Sequence, residues 1–341
     1  MTTMQAIAYT AYGGPNVTKL LPLPVPTATP GRVLVKVSGG GLNPVDALQR
    51  NGTFKAIYAY KFPQIAGNEF SGVITAVGDG VTGFAVGDKI VARSDKSEMN
   101  AFAEYSAISA SLIAKAPANI PLVDAAGLPL AGLTALQALD KLDVKKGDHV
   151  LITAGAGGVG LLAIQLAKLR GATVATTASP AGESYVKKAG ADEVINYRET
   201  KLSSLGPTFD KVFDLAAHSD AEMQETFAAV KKGGKVLTVS GPPTPSVFEA
   251  AGLPWWKNWI VSTAVGWTSR ATINAAKAKD IEYEFFFMRP DGKQLQELSD
   301  LVAEGKLDVV IDSTYKLPEW EKAFEKLESG RSKGKVIIDF E

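Results

Sequence analysis

The sequence contains no cysteine and only two histidines, and these absences exclude several kinds of functional site. Without cysteine the chain can form no disulfide, no thiolate zinc cluster, no iron–sulfur centre and no cysteine nucleophile. His149 and His218 lie far apart in the sequence and are too few for a histidine-rich metal centre. We therefore predict that the protein has no metal site.

A charge excess and long apolar runs are missing as well. The 36 lysines and arginines balance 36 aspartates and glutamates, and the basic residues are scattered, so we predict no nucleic-acid partner. No apolar run reaches the roughly 18 residues that a membrane helix needs, and the first residues do not resemble a signal peptide. These observations favour a soluble cytoplasmic protein with no membrane partner.

The residue pattern indicates two domains of different kinds in a chain of 341 residues. Up to about residue 120, short β-branched runs are separated by glycine and proline, which predicts a mainly β domain with a proline-rich surface loop over residues 22–30. From about Pro121, strands and helices alternate as in a doubly wound parallel sheet. The fold class predicted from this pattern is α/β.

The end of the alternating region is harder to interpret. We predict a helix over Ala221–Val230, an irregular tryptophan-rich segment after Gly241 and an apolar strand over Glu282–Met288. The strands that follow either return to the first domain or extend the parallel sheet.

The segment Gly155–Gly160 fits the dinucleotide-binding pattern G-x-G-x-x-G. A predicted strand, His149–Thr153, leads into it, and a predicted helix, Gly158–Leu169, leaves it, which is the context that gives the pattern meaning. A turn without side chains lets a pyrophosphate approach backbone N–H groups and the positive end of the helix. We predict that this segment binds a dinucleotide through the residues Gly155, Ala156, Gly157, Gly158, Val159 and Gly160.

The end of the next predicted strand discriminates NAD from NADP. An NAD site places Asp or Glu about 20 residues after the glycine pattern, where it binds the ribose 2′-hydroxyl. Here the region around Ser179 contains hydroxyl groups and no acid. We therefore predict NADPH as the cofactor.

With these residues assembled, the chain resembles the zinc-free quinone oxidoreductase branch of the medium-chain dehydrogenase/reductase superfamily over essentially its whole length. The C-terminal part is most similar to the enone and alkenal reductase subgroup. The resemblance implies a discontinuous GroES-like catalytic domain, residues 1–121 and 282–341, around a Rossmann domain, residues 122–281. The motifs that carry it are Gly41–Asp46, Pro63–Val73, Val86–Ile90, Gly132–Ala135, Gly155–Gly160, Gly190–Asp192, Phe285–Pro290, Val309–Asp312 and Gly330–Val336.

The resemblance also places the absent cysteine and histidine at particular positions. Zinc-dependent relatives have a catalytic zinc ligand, Cys, where this chain has Asn43, and a second, His, where it has Asn68. Their four-cysteine structural zinc loop matches the short, cysteine-free region 94–103. An alcohol dehydrogenase needs zinc to stabilise an alkoxide. The missing ligands therefore favour reduction of an activated C=C bond or a quinone.

Further cofactor contacts are implied by the resemblance. The family commonly has a lysine for the 2′-phosphate where this chain has Gly182, so Arg198 or Lys187 would have to supply the charge. Positions near the nicotinamide, the adenosine phosphate or the cofactor edge correspond to Thr134, Ser179, Tyr197, Phe286, Met288 and Arg331.

Asn43 and Asp46 are the polar candidates beside the nicotinamide, and Tyr60 is a candidate for contact with the substrate, as is Tyr58. Each has a structural alternative, for example an Asn43 side chain that ties down the turn before Pro44. The tryptophans after Gly241 are expected to line a pocket or a subunit contact. Monomer and homodimer both remain open.

Three functions are compatible with these residues. The first is hydride transfer from NADPH to the β-carbon of an enone or alkenal, with protonation at the α-carbon. The second function is reduction of a quinone by NADPH, in either two-electron or one-electron steps. The third is a non-catalytic NADPH-binding protein, similar to the lens crystallins of this superfamily.

Overall fold

The fold is given by a computed structural model that describes residues 2–55, 57, 59–95, 97–245 and 255–341, without the side chains of 257, 258, 260 and 261. The chain forms two compact units. We call Met1–Leu133 with Arg289–Glu341 the terminal unit, and Thr134–Met288 the central unit. The boundaries predicted from the sequence lie 12 residues before the first of these transitions, at 121/122 rather than 133/134, and 7 before the second, at 281/282 rather than 288/289.

Sixteen strands are found within the described residues. They are β1 Thr3–Tyr9, β2 Thr18–Pro24, β3 Arg32–Leu42, β4 Gln64–Ile65, β5 Glu69–Val77, β6 Lys89–Arg93, β7 Tyr105–Ser109, β8 Ile113–Lys115, β9 His149–Ile152, β10 Thr173–Ala178, β11 Glu193–Asn196, β12 Phe209–Asp214, β13 Val230–Thr238, β14 Glu282–Phe285, β15 Ile311–Lys316 and β16 Lys335–Asp339.

The same part of the chain contains ten α-helices, besides short 3₁₀ turns. They are α1 Pro44–Arg50, α2 Leu122–Ala125, α3 Pro129–Lys141, α4 Gly158–Leu169, α5 Pro180–Lys188, α6 Asp220–Ala228, α7 Trp255–Thr268, α8 Arg270–Ala278, α9 Gly292–Ala303 and α10 Trp320–Glu328.

The terminal unit is built on two sheets. One has the order β2-β1-β4, and the other runs β15-β16-β3-β5-β6-β8 with β7 also paired to β3. The C-terminal strand β16 lies antiparallel to β3, so the end of the chain does return to the first domain. The core between these elements contains the buried side chains of Phe70, Ile74, Phe102 and Phe324.

Glycines let the backbone of β3 come close to its neighbours. A Cβ atom on Gly39 would lie 2.4 Å from the carbonyl oxygen of Val123. One on Gly41 would lie 2.6 Å from Oε1 of Glu69. Both are closer than atoms can approach, so these glycines permit α2 to pack on β3 and Glu69 to lie beside the end of that strand.

The central unit contains a six-stranded sheet in the order β11-β10-β9-β12-β13-β14, with every pair parallel. This is the strand order of a doubly wound dinucleotide-binding sheet, whose ligands bind at the carboxyl ends of the strands where the order reverses. The reversal lies at β9, the strand that leads into Gly155–Gly160. The predicted α/β fold class is thereby seen directly.

Several predicted elements need correction. Pro22 and Pro24 lie inside β2 rather than in a loop; β2 is an edge strand, where a missing N–H is tolerated. Helix α6 ends at Ala228 rather than Val230, because Val230 pairs with Phe209 in the sheet.

Two later predictions were also wrong. Strand β14 ends at Phe285 instead of Met288, because its partner β13 ends at Thr238, which pairs with Phe285. The tryptophan-rich segment is helical from Trp255, within α7, and was predicted to be irregular.

Candidate functional site

The glycines of the Gly155–Gly160 turn have different physical roles. A Cβ atom on Gly155 would lie 1.9 Å from Oγ1 of Thr176, and one on Gly160 would lie 2.6 Å from Cα of Gly155. These two positions need glycine for packing alone. A Cβ atom on Gly157 would meet only the carbonyl oxygen of Ala154, at 3.4 Å. The space at Gly157 is therefore left open by the protein itself.

The turn has a strained shape that hydrogen bonds to Thr177 hold in place. Ala154 has a φ of 49°, a left-handed conformation that is rare for alanine. Its N–H donates to Oγ1 of Thr177 at 2.9 Å, and the N–H of Gly155 donates to the Thr177 carbonyl at 3.0 Å. Helix α4 begins after Gly157 without a side-chain cap. Its first N–H groups and positive helix end suit a pyrophosphate.

Asp214 ties three strand ends together at the same edge of the sheet. Its carboxylate accepts hydrogen bonds of 2.9 Å from the hydroxyls of Thr153 and Thr238, which follow β9 and end β13. Its side chain is buried, and this burial raises the pKa of Asp214 against the effect of those hydrogen bonds. Sequence reasoning missed this residue, although an acid at the end of the apolar strand β12 was a visible signal.

The residues predicted around the adenosine phosphate come to one edge. Ala178 and Asn196 pair at the carboxyl ends of β10 and β11, and Ser179 directly follows the first of them. Tyr197, 57% exposed, and Arg198 follow the second. Ser179 precedes α5 without a side-chain capping bond.

Lys187 does not belong to this group. It lies in the last turn of α5 and forms an ion pair of 2.6 Å with Glu183. At about 1.5 Å of rise per residue, it is roughly a helix length from Ser179. The placement favours Arg198 over Lys187 as the source of charge for a 2′-phosphate, and both suggestions stay predictions.

For the other predicted cofactor residues of the central unit, the structure gives a hydrogen bond or burial but no indication of a cofactor contact. The N–H of Phe286 donates to the Thr238 carbonyl at 2.8 Å, which extends the pairing of β14 by one bond. Met288 and Thr134 are buried. Their contact with a cofactor stays a prediction.

The terminal unit contains a cluster of polar side chains that are almost completely removed from water. We call it the buried polar cluster. Each member is at most 4% exposed, and the set contains two carboxylates and two cations, so its charges balance. The members are Asn43, Asp46, Gln49, Asn68, Glu69, Arg93 and Lys335.

Asn43 is fully engaged within this cluster. Its Nδ2 donates to Oε1 of Glu69 at 2.7 Å and to the Gly41 carbonyl at 3.1 Å. Its Oδ1 accepts a hydrogen bond of 2.6 Å from Nζ of Lys335. Lys335 also donates to Oε1 of Glu69 at 2.6 Å and to the Leu42 carbonyl at 2.8 Å. The side chain of Asn43 thus bonds to other groups of the protein, which agrees with the structural role considered for it. Its predicted catalytic role stays a prediction.

Asp46 links the two asparagines. Its Oδ2 accepts the N–H of Asn43 at 2.8 Å, and its Oδ1 accepts Nδ2 of Asn68 at 2.6 Å. Burial raises the pKa of Asp46 to about 6, against the lowering effect of these hydrogen bonds and of Lys335. Its oxygens hold α1 in place rather than pointing outward.

Asn68 connects the cluster to Tyr60. Its Oδ1 accepts NH1 of Arg93 at 3.1 Å, and its Nδ2 donates to Oε1 of Gln49 at 2.6 Å. Nε2 of Gln49 then donates to the hydroxyl of Tyr60 at 3.1 Å, with a longer contact of 3.4 Å to Oδ1 of Asn68. Burial lowers the pKa of Arg93 to about 10. Tyr60 is half-buried, and its contact with the substrate stays a prediction.

Sequence reasoning missed Gln49, Glu69, Arg93 and Lys335 as members of the cluster. Glu69 and Lys335 fall inside motifs that carried the resemblance, so their presence was visible but their contact was not.

Two further predicted site residues are Arg331, which the structure describes, and Tyr58, which it does not. Arg331 is exposed in the turn after α10, where its N–H donates to Oγ of Ser329 at 3.3 Å. Tyr58 lies outside the described residues.

The four tryptophans of α7 are exposed in the central unit. Their exposed fractions are 82% for Trp255, 48% for Trp256, 68% for Trp259 and 78% for Trp267. Their expected place in a pocket wall or a subunit contact stays a prediction.

Within the described ranges, no three side chains of the His, Cys, Asp or Glu type are grouped so that they could hold a metal ion. Among the same residues no helix has the length and apolar character needed to cross a membrane.

Comparison with known proteins agrees with this architecture. Residues 29–118 match the family model described as alcohol dehydrogenase GroES-like domain, and residues 189–338 match the one described as zinc-binding dehydrogenase. The solved structure of a quinone oxidoreductase from Coxiella burnetii superimposes with a TM-score of 0.85 and 33% identity, covering 100% of both chains.

Two curated plant proteins are similar over almost the whole chain. The 2-methylene-furan-3-one reductase of Solanum lycopersicum is 33% identical over 98% of this chain and 79% of its own length. The chloroplastic NADPH-dependent alkenal/one oxidoreductase of Arabidopsis thaliana has the same identity and coverage. A third relative, the chloroplast envelope quinone oxidoreductase homolog of Arabidopsis thaliana, is 32% identical and covered over 98% of both chains.

These matches confirm the family and fold predicted from the sequence motifs. The GroES-like and Rossmann parts are both present, and a nicotinamide cofactor is the one that the family's nucleotide-binding domain takes. The chain therefore belongs to the quinone oxidoreductase and alkenal/enone reductase family of the medium-chain dehydrogenase/reductase superfamily, and it is an oxidoreductase.

Proposed function

We propose that this protein uses NADPH to reduce the activated C=C bond of α,β-unsaturated ketones or aldehydes, or a quinone, without zinc. Relatives named for alkenal/one, furanone and quinone substrates support the substrate class. The observation that carries the proposal is the pair Asn43 and Asn68, whose side-chain amides are bonded to Lys335, Asp46 and their neighbours within the buried polar cluster.

The central unit fits a dinucleotide. Gly157 leaves room where a side chain would stand, and the first N–H groups of α4 are not capped by a side chain. Gly158, Val159 and Gly160 form the first helical turn and would hold the pyrophosphate through their backbone. When bound, the nicotinamide supplies the hydride for reduction.

NADPH is supported over NADH by the edge formed after β10 and β11. Ser179 stands where an NAD site places a carboxylate, so this position carries no negative charge that would repel a 2′-phosphate. Arg198 provides a cation on the neighbouring strand end, beside Tyr197. The printed name of the Arabidopsis alkenal/one relative also specifies NADPH.

Conjugate reduction is supported over alcohol oxidation by the residue types at the zinc-ligand positions. Asn43 and Asn68 offer neutral amides where zinc-dependent relatives offer a thiolate and an imidazole. Reduction of a C=C bond conjugated to a carbonyl needs only hydrogen bonds to the oxygen, where negative charge collects.

The direct test is turnover of a panel of enones, alkenals and quinones by purified protein with NADPH. We expect NADPH oxidation with formation of the saturated ketone or aldehyde, or of the hydroquinone. The absence of turnover with every acceptor, together with tight NADPH binding, would instead establish a non-catalytic cofactor-binding protein.

The cofactor preference is tested by Ser179→Asp. The added carboxylate should repel the 2′-phosphate, so we expect the KM for NADPH to rise about tenfold or more, with a much smaller change for NADH. Ser204→Asp, on an exposed turn of the same unit, is the matched control for added charge. Equal changes for both cofactors would show that the phosphate is bound elsewhere.

A quinone acceptor is the second candidate, favoured by relatives named quinone oxidoreductase in plants and in Coxiella burnetii. Reduction by one-electron steps would release a semiquinone radical, which paramagnetic resonance detects during turnover. Clean formation of saturated ketone from an enone, with no radical from quinones, would exclude this variant.

A further inference from the structure

A buried carboxylate lies at the carboxyl edge of the sheet in the central unit. The side chain belongs to Asp214, the last residue of β12, which is 1% exposed. In the described part of the chain it forms no ion pair with a lysine, arginine or histidine. A charge buried without a counter-ion lowers the stability of the folded protein, and such groups are concentrated at functional sites.

The hydrogen bonds to this carboxylate come from neighbours that donate to it. Oδ1 of Asp214 accepts from the hydroxyl of Thr153, and Oδ2 accepts from the hydroxyl of Thr238, each at 2.9 Å. The N–H of Ala217 lies 3.3 Å from both oxygens. An ionised carboxylate only accepts hydrogen bonds, so it matches a surrounding that consists of donors.

Thr238 connects the carboxylate to the loop after β13. Its Oγ1 accepts the N–H of Gly241 at 2.8 Å and the N–H of Ser240 at 3.2 Å. A hydroxyl has two acceptor sites and one donor, so only its proton remains for Asp214. The direction of this bond is therefore determined, and the loop over residues 239–241 is held through Thr238.

Thr153 connects the carboxylate to the glycine turn. Its Oγ1 accepts the N–H of Leu215 at 2.7 Å and donates to Asp214. Thr153 directly precedes Ala154, the residue with a φ of 49° that opens the turn Gly155–Gly160. The beginning of the turn is thus fixed from the side of β12 by Asp214.

The two threonines stand beside different halves of the expected ligand. The residues predicted around the adenosine phosphate follow β10 and β11, and the glycine turn for the pyrophosphate follows β9. A dinucleotide that binds across this edge therefore has its nicotinamide half on the side of β12 and β13. Thr153 fixes the pyrophosphate turn, whereas Thr238 fixes a loop on the nicotinamide side.

We propose that Asp214 is a positioning residue for the cofactor, which acts through Thr153 on the pyrophosphate turn and through Thr238 on the loop after β13. This inference rests on the proposed function. Because the turn and the loop are fixed before the ligand arrives, their backbone need not be ordered on binding, and the affinity is higher.

Two variants and two ligands separate the two connections. Thr238→Val removes the hydroxyl at almost constant shape. We expect its Kd for NADPH to rise about tenfold, which corresponds to ordering the backbone of about one residue. Its Kd for 2′-phospho-ADP-ribose, which lacks the nicotinamide, should change less than about threefold. Thr153→Val should weaken both ligands about tenfold, as measured by isothermal titration calorimetry.

The role of Asp214 itself is tested by Asp214→Ala, which removes both connections. Its Kd for NADPH should rise about 100-fold, the product of the two single effects. Adding Asp214→Ala to the double variant of Thr153→Val and Thr238→Val should have little further effect, because Asp214 acts through these two hydroxyls. A further loss of tenfold or more would contradict this route.

Control variants distinguish positioning from general damage to the unit. Thr226→Val removes another buried threonine hydroxyl, which donates within α6 to the carbonyl of Glu222. It should leave both affinities unchanged. Thr238→Ser keeps the hydroxyl and should bind NADPH within about threefold of wild type. Circular dichroism identifies any variant that fails to fold, and Thr153→Val then carries the test if Thr238→Val is lost.

The contradicting results are specific. Thr238→Val or Thr153→Val with a Kd for NADPH within about threefold of wild type would overturn the inference. Thr238→Val that weakens 2′-phospho-ADP-ribose as much as NADPH would also overturn it. Absence of turnover by the wild type with every acceptor would overturn the proposed enzyme function instead, and the binding comparison would still decide the role of Asp214 because it needs no turnover.

Discussion

The two units build their polar sites from different materials. In the central unit the site consists of backbone N–H groups and of space that Gly157 leaves open. In the terminal unit it consists of buried side chains that satisfy one another, from Lys335 and Glu69 to Asp46 and Asn68. The site in the central unit has open space that a ligand would fill, whereas most polar groups of the buried polar cluster already have hydrogen-bond partners in the protein. The asparagines at the zinc-ligand positions therefore belong to a network in which their amide groups bond to other side chains of the protein.

The largest expected effect comes from removing a cation from the buried polar cluster. Lys335→Met leaves Glu69, 0% exposed, without its ion-pair partner. We expect the free energy of unfolding to fall by about 3–5 kcal/mol, because an uncompensated charge then stays buried. Urea unfolding measures this loss.

The control for this prediction is the double variant Lys335→Met with Glu69→Gln. Removing the carboxylate as well should recover part of the lost stability. If the two single losses simply added, the ion pair would not be the source of the effect.

The next largest effect concerns Asp46, whose pKa is raised by burial to about 6 from an ordinary value near 3.8. Between these two pH values the folded protein binds a proton that the unfolded chain has lost, so stability decreases as pH rises. Two pKa units correspond to about 3 kcal/mol.

This contribution is isolated by Asp46→Asn, which cannot titrate. The free energy of unfolding of wild type minus that of the variant should fall by about 3 kcal/mol from about pH 4 to about pH 7 in urea unfolding. A difference that is constant over this range would show that Asp46 ionises as in the unfolded chain.

The smallest expected effect concerns Gly157 in the glycine turn of the central unit. Gly157→Ala meets no protein atom closer than 3.4 Å, so stability should change by about 1 kcal/mol or less. NADPH binding should weaken about tenfold, because the methyl group occupies space left for the ligand. Isothermal titration calorimetry measures this change.

Gly155→Ala is the matched comparison in the same turn. Its Cβ atom would lie 1.9 Å from Thr176, so this variant should lose stability as well as binding. Equal stability losses in the two variants would contradict the assignment of different roles to the two glycines.

This difference between the two units explains which features of the sites could be predicted from the sequence. The site in the central unit depends on local pattern: a strand, a glycine turn and a helix that follow one another in the chain. Its features were therefore predictable, including the absence of an acid at Ser179. The role of the Asp214 carboxylate was not predicted, because its hydrogen bonds to Thr153 and Thr238 exist only when the strands lie side by side.

The buried polar cluster could not be predicted in the same way. Lys335 lies 292 residues from Asn43, and their contact depends on the pairing of β16 with β3. The motifs show which positions of the sequence belong to the buried polar cluster, but they do not show which donor bonds to which acceptor. Asn43 illustrates the result, since its polarity made it a catalytic candidate while its hydrogen bonds run into the protein.

Local signals also failed where tertiary context decided the structure. Pro22 and Pro24 are tolerated in β2 because it is an edge strand, a property that no local pattern reveals. Strand β14 stops at Phe285 because its partner stops, although the apolar run continues to Met288.

Conjugate reduction without zinc is tested most simply by the position of deuterium in the product of a conjugated enone reduced with deuteride-labelled NADPH. We expect a saturated ketone with deuterium on the β-carbon, formed equally well after treatment with a zinc chelator. An allylic alcohol with deuterium on the former carbonyl carbon would contradict this expectation, because that product requires alcohol dehydrogenase chemistry, whose zinc ligands Cys and His are replaced here by Asn43 and Asn68.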